Sequence, residues 1–148
     1  MDRARLALGV ITCVMAVFVA SACSGGGAPP EPDAPLGEPA LRLEVAMRDI
    51  AFEPATLEGR AGEVIEIAFA NRGSLAHDFT VREIAADVAM TQVASRTRNN
   101  NAGIHVHLDA RTESVMQLRI ATPGTYEFYC GVSGHRAAGM AGTLVVTD

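Results

Sequence analysis

From Leu41 onward the chain consists of short runs in which apolar and polar residues alternate, and turn residues separate these runs. The alternating or β-rich runs are 41–47, 64–69, 115–120, 125–130 and 144–146. The turn signals are Glu53-Pro54, Gly59, Ala61-Gly62, Asn71-Arg72-Gly73 and Pro123-Gly124. Short strands at this spacing, without alternating helices, indicate two packed sheets or a barrel. The sequence therefore predicts one all-β domain over residues 41–148, a Greek-key β-sandwich or barrel.

One stretch departs from this pattern. Residues 81–90 could form a short helix or an irregular strand, and residues 96–103 form a polar loop with three consecutive Asn. The sequence leaves the role of this insertion, 81–103, open.

The N-terminus has the three parts of a secretory signal peptide, predicted to span residues 1–22. Arg3 and Arg5 supply positive charge, residues 6–20 are mostly apolar, and Ala20-Ser21-Ala22-Cys23 is a small-residue cleavage site. This ending resembles a bacterial lipobox, which implies that Cys23 becomes lipidated. The alternative is secretion after cleavage with Cys23 left as a free thiol. We expect an extracytoplasmic protein that is lipid-anchored to a membrane.

Residues 24–40 contain five Pro and four Gly and few apolar side chains. A segment of this composition cannot bury a core, so residues 23–40 are predicted to form a lipidated Cys23 followed by a disordered tether. The tether would hold the folded domain away from the membrane surface.

The cysteine number excludes a disulfide within the predicted domain, and the net charge argues against a nucleic-acid partner. Of the three cysteines, Cys13 lies in the predicted leader and Cys23 at its end, so Cys130 stands alone in the domain without a disulfide partner. The chain carries a formal charge of −5, and a leader with one Asp and two Arg removes +1, which leaves −6. Because no basic cluster accompanies this charge, we expect no nucleic-acid partner.

The last hairpin predicts where Cys130 points. Tyr126, Phe128 and Cys130 alternate along one strand, so their side chains share one face. Two aromatic residues on that face indicate that it points into the core. The thiol of Cys130 should therefore lie below the end of the domain, shielded from water.

A thiol, an imidazole and a thioether occur within eleven residues, at Cys130, His135 and Met140. A blue-copper site needs two His and one Cys in a trigonal set with a weak axial Met. His77, in Leu75-Ala-His-Asp-Phe79, is placed to supply the second imidazole. The residue types predict one copper ion per chain, whereas zinc sites less often use a thioether.

Four segments across residues 41–148 resemble the cupredoxins, the small blue-copper proteins. They are Asp49-Ile-Ala-Phe-Glu-Pro54, the segment from Asn71 to Phe79, Cys130-x4-His135-x4-Met140, and Gly142-Thr-Leu-Val-Val146. The spacing of the third is most similar to rusticyanin- and sulfocyanin-type members. The resemblance implies a type 1 copper bound by His77, Cys130, His135 and Met140.

Two polar residues are expected to orient the ligands, namely Asn71 and Asp78. Asp78 stands where the family often carries Asn, and an ionised carboxylate near copper should lower the reduction potential. His105 and His107 would share one strand face and could form a second metal site, but a solvated face is the preferred interpretation. A binuclear copper centre is excluded because Gly134 occupies the position of its second Cys.

The resulting hypothesis is a membrane-tethered electron carrier that acts as a monomer and is not an enzyme. Its expected partner is a redox protein such as a cytochrome, an oxidase or a reductase. Three alternatives remain open: a copper storage or delivery module, an enzyme with an open copper site, and a metal-free interaction domain. The last of these predicts that Cys130 is replaceable.

Overall fold

The computed structural model describes residues 31–92 and 103–148, and within these ranges every regular element is a strand. The ten strands are β1 (Leu41–Arg48), β2 (Ala51–Glu53), β3 (Thr56–Arg60), β4 (Val64–Asn71), β5 (His77–Arg82), β6 (Ala86–Gln92), β7 (Gly103–Leu108), β8 (Glu113–Ile120), β9 (Gly124–Tyr129) and β10 (Ala141–Thr147). The all-β prediction is confirmed. Of the two alternatives for residues 81–90, the irregular strand is correct, since a bend separates β5 from β6. Most of the predicted polar loop, up to residue 102, lies outside the described residues.

The strands form two sheets of five, which gives a sandwich and not one continuous barrel in the described parts of the chain. The first sheet has the order β2-β1-β4-β8-β6, and the second has the order β3-β10-β9-β5-β7. Each sheet is mixed, because β1 pairs in parallel with β4 and β10 in parallel with β3, while the other pairs are antiparallel.

The core lies between the sheets and follows the alternation seen in the sequence. In β4, Ile65, Ile67 and Phe69 point inward and are at most 1% exposed. Phe79 and Phe128, from the second sheet, stack with ring centroids 4.9 Å apart. Burial of aromatic side chains of this size contributes much of the hydrophobic stabilisation of a small domain.

One turn residue predicted from the sequence is in fact part of a strand. Gly59 lies inside β3, opposite Val146 of β10. A Cβ at this position would overlap the side chain of Ile65. Glycine here allows close approach between the sheets, so it does not mark a turn.

The predicted tether begins to make contacts earlier than Leu41. Asp33 exchanges hydrogen bonds with Met90 through its backbone N–H (2.7 Å) and through its carboxylate, which accepts the Met90 N–H (2.9 Å). The N–H of Leu36 donates to the side chain of Gln117 at 2.8 Å. The Asp33 bonds satisfy polar groups at the edge strand β6, and the Leu36 bond reaches the neighbouring strand β8. Asp33, Leu36 and Ala40 therefore bond to the folded domain, and the disordered tether up to residue 40 stays a prediction.

The topology brings the sequence-distant ligand segments to one end of the second sheet. β5 begins at His77, and its Thr80 pairs with Tyr129, the last residue of the antiparallel strand β9. Cys130 follows Tyr129 and therefore lies beside the start of β5. The loop 130–140, which carries His135, then leads directly into β10.

Candidate metal centre

Cys130 lies in a buried position at the end of β9, as its strand parity predicts. The side chain is 1% exposed, and its sulfur accepts a hydrogen bond from the backbone N–H of Asp78 at 3.3 Å. Burial raises the pKa of the Cys130 thiol, while N–H groups of Asp78 and Val132 act in the opposite direction. A metal cation would replace the thiol proton and remove the cost of burying a thiolate.

His77 is the first residue of β5 and is completely buried. Its Nδ1 lies 3.9 Å from the sulfur of Cys130. Burial lowers the pKa of His77, and the neighbouring His135 lowers it further. The imidazole is therefore neutral at physiological pH, which is the form that binds metals.

His135 lies in the loop between β9 and β10, where it is partly exposed. Its Nδ1 is 3.4 Å from the sulfur of Cys130, and its ring centroid is 5.1 Å from that of His77. Backbone bonds inside the loop hold it in place, from the His135 N–H to Val132 O and from the Met140 N–H to His135 O. The guanidinium of Arg136 stacks on the ring of Tyr129 at 4.1 Å. These contacts restrain the loop on both sides of His135.

The distances around Cys130 fit a trigonal metal site. Metal–nitrogen bonds of about 2.0 Å and metal–sulfur bonds of about 2.3 Å, at angles of roughly 105–130°, require S···N separations of about 3.4–3.9 Å. The observed values are 3.4 and 3.9 Å. Among the residues that the structure describes, His77, Cys130 and His135 are the only three potential ligands whose donor atoms lie within 4.8 Å of one another. The donor set is the one that type 1 copper uses.

Met140 occupies the far end of the same loop and is fully buried. Its carbonyl accepts the backbone N–H of Cys130 at 3.0 Å, and its own N–H donates to His135 at 3.0 Å. Its backbone is therefore bonded to both of the other loop residues of the set. A buried thioether here matches the weak axial ligand expected for copper, and its assignment as a ligand stays a prediction.

Asn71 connects the segment before His77 to the end of β7. Its side-chain NH2 donates to the carbonyls of Leu75 (2.8 Å), Leu108 (3.2 Å) and Asp109 (3.1 Å), and its Oδ1 accepts the N–H of Gly73. Because the Asn71 side chain is buried, these bonds fix the loop that leads to His77. This position agrees with the orienting role that the sequence predicts for Asn71. The role itself stays a prediction.

Asp78 faces the two histidines of β7. Its carboxylate lies 2.6 Å from Nδ1 of His107 and 3.4 Å from Nε2 of His105. Burial by itself would raise the pKa of Asp78, but hydrogen bonds to His105 and His107 outweigh it and lower the pKa. The bond to the Cys130 sulfur is made by the Asp78 backbone N–H and not by this carboxylate.

His105 and His107 are neither buried nor fully solvated, with side chains 41% and 32% exposed. The sequence predicted a solvated strand face. The rings are less exposed than that prediction implies, because both contact the Asp78 carboxylate. Asp78 and His107 lie opposite each other in the register of β5 and β7. This pairing cannot be read from the sequence, because it depends on which strand lies beside β7.

Asp49 is a residue near the site that the sequence analysis did not single out. It follows β1, and its carboxylate accepts the N–H of Ser74 (2.8 Å), the hydroxyl of Ser74 (3.0 Å) and the N–H of Leu75 (3.3 Å). These bonds lower the pKa of Asp49. Oδ1 also lies 3.8 Å from Nε2 of His77. The only signal in the sequence was its place at the start of a segment that resembles the family.

The predicted leader 1–22 and the lipidation site Cys23 lie outside the described residues, so both stay predictions. No helix long and apolar enough to cross a bilayer occurs in residues 31–92 and 103–148.

Comparison with known proteins gives a consistent result. A family model described as "Cupredoxin-like domain" matches residues 10–146. The chain is 29% identical over 163 aligned positions to the copper-resistant cuproprotein CopI of Rubrivivax gelatinosus, covering 96% of this chain and 98% of the relative. It is 31% identical over 126 positions to auracyanin-B of Chloroflexus aurantiacus, covering 74% of this chain and 53% of that one.

Among solved structures, auracyanin B superposes with a TM-score of 0.60 at 25% identity, covering 78% of this chain and 95% of the other. The likeness of the ligand-loop spacing to rusticyanin and sulfocyanin stays a prediction. The residues around Cys130 and these relatives agree with one type 1 copper per chain. The family model covers well over half of the sequence, and the chain therefore belongs to the cupredoxin-like family.

Proposed function

We propose that this protein is a membrane-tethered, extracytoplasmic electron carrier whose single copper is bound by His77, Cys130, His135 and Met140. The observation that carries the proposal is the buried Cys130 sulfur, with the Nδ1 atoms of two histidines 3.4 and 3.9 Å away. When bound, copper would supply a one-electron couple between Cu(II) and Cu(I).

The protein supplies a rigid and largely dry environment. The ligand segments are attached to adjacent strands of one sheet, and the loop 130–140 is held by its own backbone bonds. Cu(I) and Cu(II) prefer different coordination geometries. A rigid site holds its ligands between these two geometries, so little rearrangement is needed when an electron is transferred. Four protein ligands leave no open position for substrate, so the proposal does not include catalysis.

The partly exposed His135 is the proposed point of electron exit. Small residues surround it in the loop, namely Gly131, Val132, Gly134, Ala137 and Ala138. Leu75, the only exposed large hydrophobic side chain in the described residues, is 45% exposed and lies two positions before His77. An apolar surface of this kind suits brief contact with a redox partner protein. A redox protein is therefore the proposed partner, bound by a monomer of this chain.

The spectrum of the copper-loaded protein tests the proposal. The full chain in detergent, titrated with Cu(II), is expected to develop an intense thiolate-to-copper absorption band that saturates at one copper per chain. Ascorbate should bleach the band. The matched control is Cys130→Ser, which replaces the sulfur by oxygen at nearly constant shape and should abolish the band. Weak absorption with an ordinary tetragonal EPR signal in the wild-type chain would contradict the proposal.

Membrane attachment has its own test. The proposed anchor rests on the sequence at Ala20-Ser21-Ala22-Cys23. Cys23→Ser is expected to release the protein from the membrane fraction of the producing bacterium, since one side chain then no longer carries lipid. The control Cys13→Ser, inside the predicted leader, should leave the distribution unchanged. Equal membrane retention of both variants would contradict the anchor.

Copper handling is the second candidate function. It is favoured by the relative named as a copper-resistant cuproprotein, which aligns over 96% of this chain. A storage or delivery protein must release copper to an acceptor, whereas a carrier must retain it through both oxidation states. Copper content after repeated cycles of reduction and reoxidation, with a competing Cu(I) chelator present, separates the two. Retention supports the carrier, and progressive loss in the Cu(I) state supports handling.

A further inference from the structure

The imidazole of His77 has two nitrogens in different surroundings. Nδ1 faces the sulfur of Cys130 at 3.9 Å. Nε2 is buried and makes no hydrogen bond to any residue that the structure describes. A buried ring N–H without an acceptor costs about 1–3 kcal/mol, so a buried nitrogen of this kind calls for an explanation. The carboxylate oxygen Oδ1 of Asp49 lies 3.8 Å from it.

The Asp49 carboxylate is held where it can serve this nitrogen. Ser74 donates its N–H to Oδ1 and its hydroxyl to Oδ2, and Leu75 donates a third bond to Oδ1. Gly73 leaves the space that the carboxylate needs, because a Cβ there would overlap Oδ1. All three neighbours belong to the segment that leads directly into His77, so the carboxylate and the imidazole are fixed by the same short loop.

Asp78, the other carboxylate close to the ligands, is engaged elsewhere. Its two oxygens face Nδ1 of His107 and Nε2 of His105. Asp49 is therefore the carboxylate available to His77 on the side away from Cys130. In metal sites, a carboxylate that accepts the second N–H of a ligating imidazole fixes its tautomer and orientation and makes it a stronger donor.

We propose that Asp49 is a positioning residue of the copper site, with a carboxylate that accepts the Nε2–H of His77 and so directs Nδ1 toward the metal. This inference rests on the proposed function. A stronger nitrogen donor and a nearby negative charge both stabilise Cu(II) more than Cu(I). Asp49 therefore lowers the reduction potential of the site.

The decisive variant is Asp49→Asn, which retains one oxygen for the Ser74 and Leu75 N–H groups but removes the charge. Loss of an outer partner of a ligating histidine typically costs about tenfold or more in metal affinity. A tenfold loss confined to Cu(II) corresponds to a rise in potential of about 59 mV for a one-electron couple. Ser74→Ala is the control, since it loosens the same loop but retains the carboxylate. We expect its potential to stay at the wild-type value.

A second readout begins with the wild-type chain. In the diamagnetic Cu(I) form, proton–nitrogen NMR of the wild-type chain should show a slowly exchanging ring N–H at Nε2 of His77. In Asp49→Ala, which removes the acceptor oxygen, this signal should exchange faster than in Asp49→Asn, which retains Oδ1. Such a change distinguishes a hydrogen bond from a general effect of charge on the copper.

The result that would overturn the inference is an unchanged potential in Asp49→Asn, an equal rise in Ser74→Ala, or a rapidly exchanging Nε2–H in the wild-type chain. These outcomes leave the proposed function intact if the wild-type protein shows its thiolate band. A wild-type chain without that band instead removes the proposed function, and this inference with it.

Discussion

The backbone N–H of Asp78 donates a 3.3 Å hydrogen bond to the sulfur of Cys130. This bond joins the start of β5 to the end of β9, two segments 52 positions apart in the chain. Because the donor is the backbone, the donor group is retained in every substitution of Asp78 except proline. The side chain and the backbone of this residue can therefore be tested separately.

Replacing Asp78 by Asn is expected to raise the reduction potential of the copper-loaded protein. The substitution removes a negative charge beside the site but retains the N–H that the Cys130 sulfur accepts. Voltammetry measures the shift. The control is Asp87→Asn on β6, where the side chain is 69% exposed and pairs with Arg119. An unchanged potential in Asp78→Asn would contradict the idea that this carboxylate lowers the reduction potential.

Replacing Met140 by Leu is also expected to raise the reduction potential of the copper site, but for a different reason. Cu(II) loses a weak axial donor, whereas Cu(I) tolerates three ligands more readily. The exchange preserves volume, so it should cost less than about 1.5 kcal/mol in the free energy of unfolding of the metal-free protein. The control Met47→Leu alters an equally buried methionine on β1. Equal potentials in both variants would remove Met140 from the ligand set.

Replacing Asn71 by Ala should destabilise the metal-free protein by about 1–3 kcal/mol, because buried carbonyl partners of its side chain lose their donor. Urea unfolding measures this cost. Asn71→Asp is the matched variant, since it retains the oxygen that accepts the Gly73 N–H but not the donor group. If Asn71→Asp is as stable as the wild type while Asn71→Ala is destabilised, the Gly73 bond alone would account for the stabilisation.

The stability of the metal-free protein should depend on pH through Asp49. Hydrogen bonds from Ser74 and Leu75 lower its folded-state pKa below the unfolded value of about 3.9. The carboxylate therefore stabilises the fold above that value, and the contribution disappears as the pH falls through the lower, folded-state pKa. The stability difference between wild type and Asp49→Asn should be present at pH 7 and vanish in strong acid. A difference that is constant with pH would contradict this assignment.

The inward row of β9 and the arrangement of the ligand loop were predictable because both depend on local sequence. Alternation alone places Phe128 and Cys130 on one face, and His135 is only five residues away. His77 was included because the site needs a second imidazole and through the resemblance, since nothing local indicates that β5 lies beside β9. The pairing of Asp78 with His107 depends in the same way on sheet order.

Two features of the structure differ from what the local sequence indicates. Residues 33–40 look like a linker by composition, yet Asp33 bonds to Met90 at the edge of β6 through its backbone N–H and its carboxylate. Gly59 looks like a turn residue, yet it lies within β3, where a Cβ would overlap the end of the Ile65 side chain. Both are consequences of tertiary contacts, which composition does not encode.

A redox titration of the copper-loaded full chain, followed at the thiolate-to-copper band, tests the central claim most directly. The account predicts a single reversible one-electron transition, with one copper per chain retained in both directions. A band that cannot be restored on reoxidation, accompanied by loss of copper from the chain, would contradict electron transfer as the function of this protein.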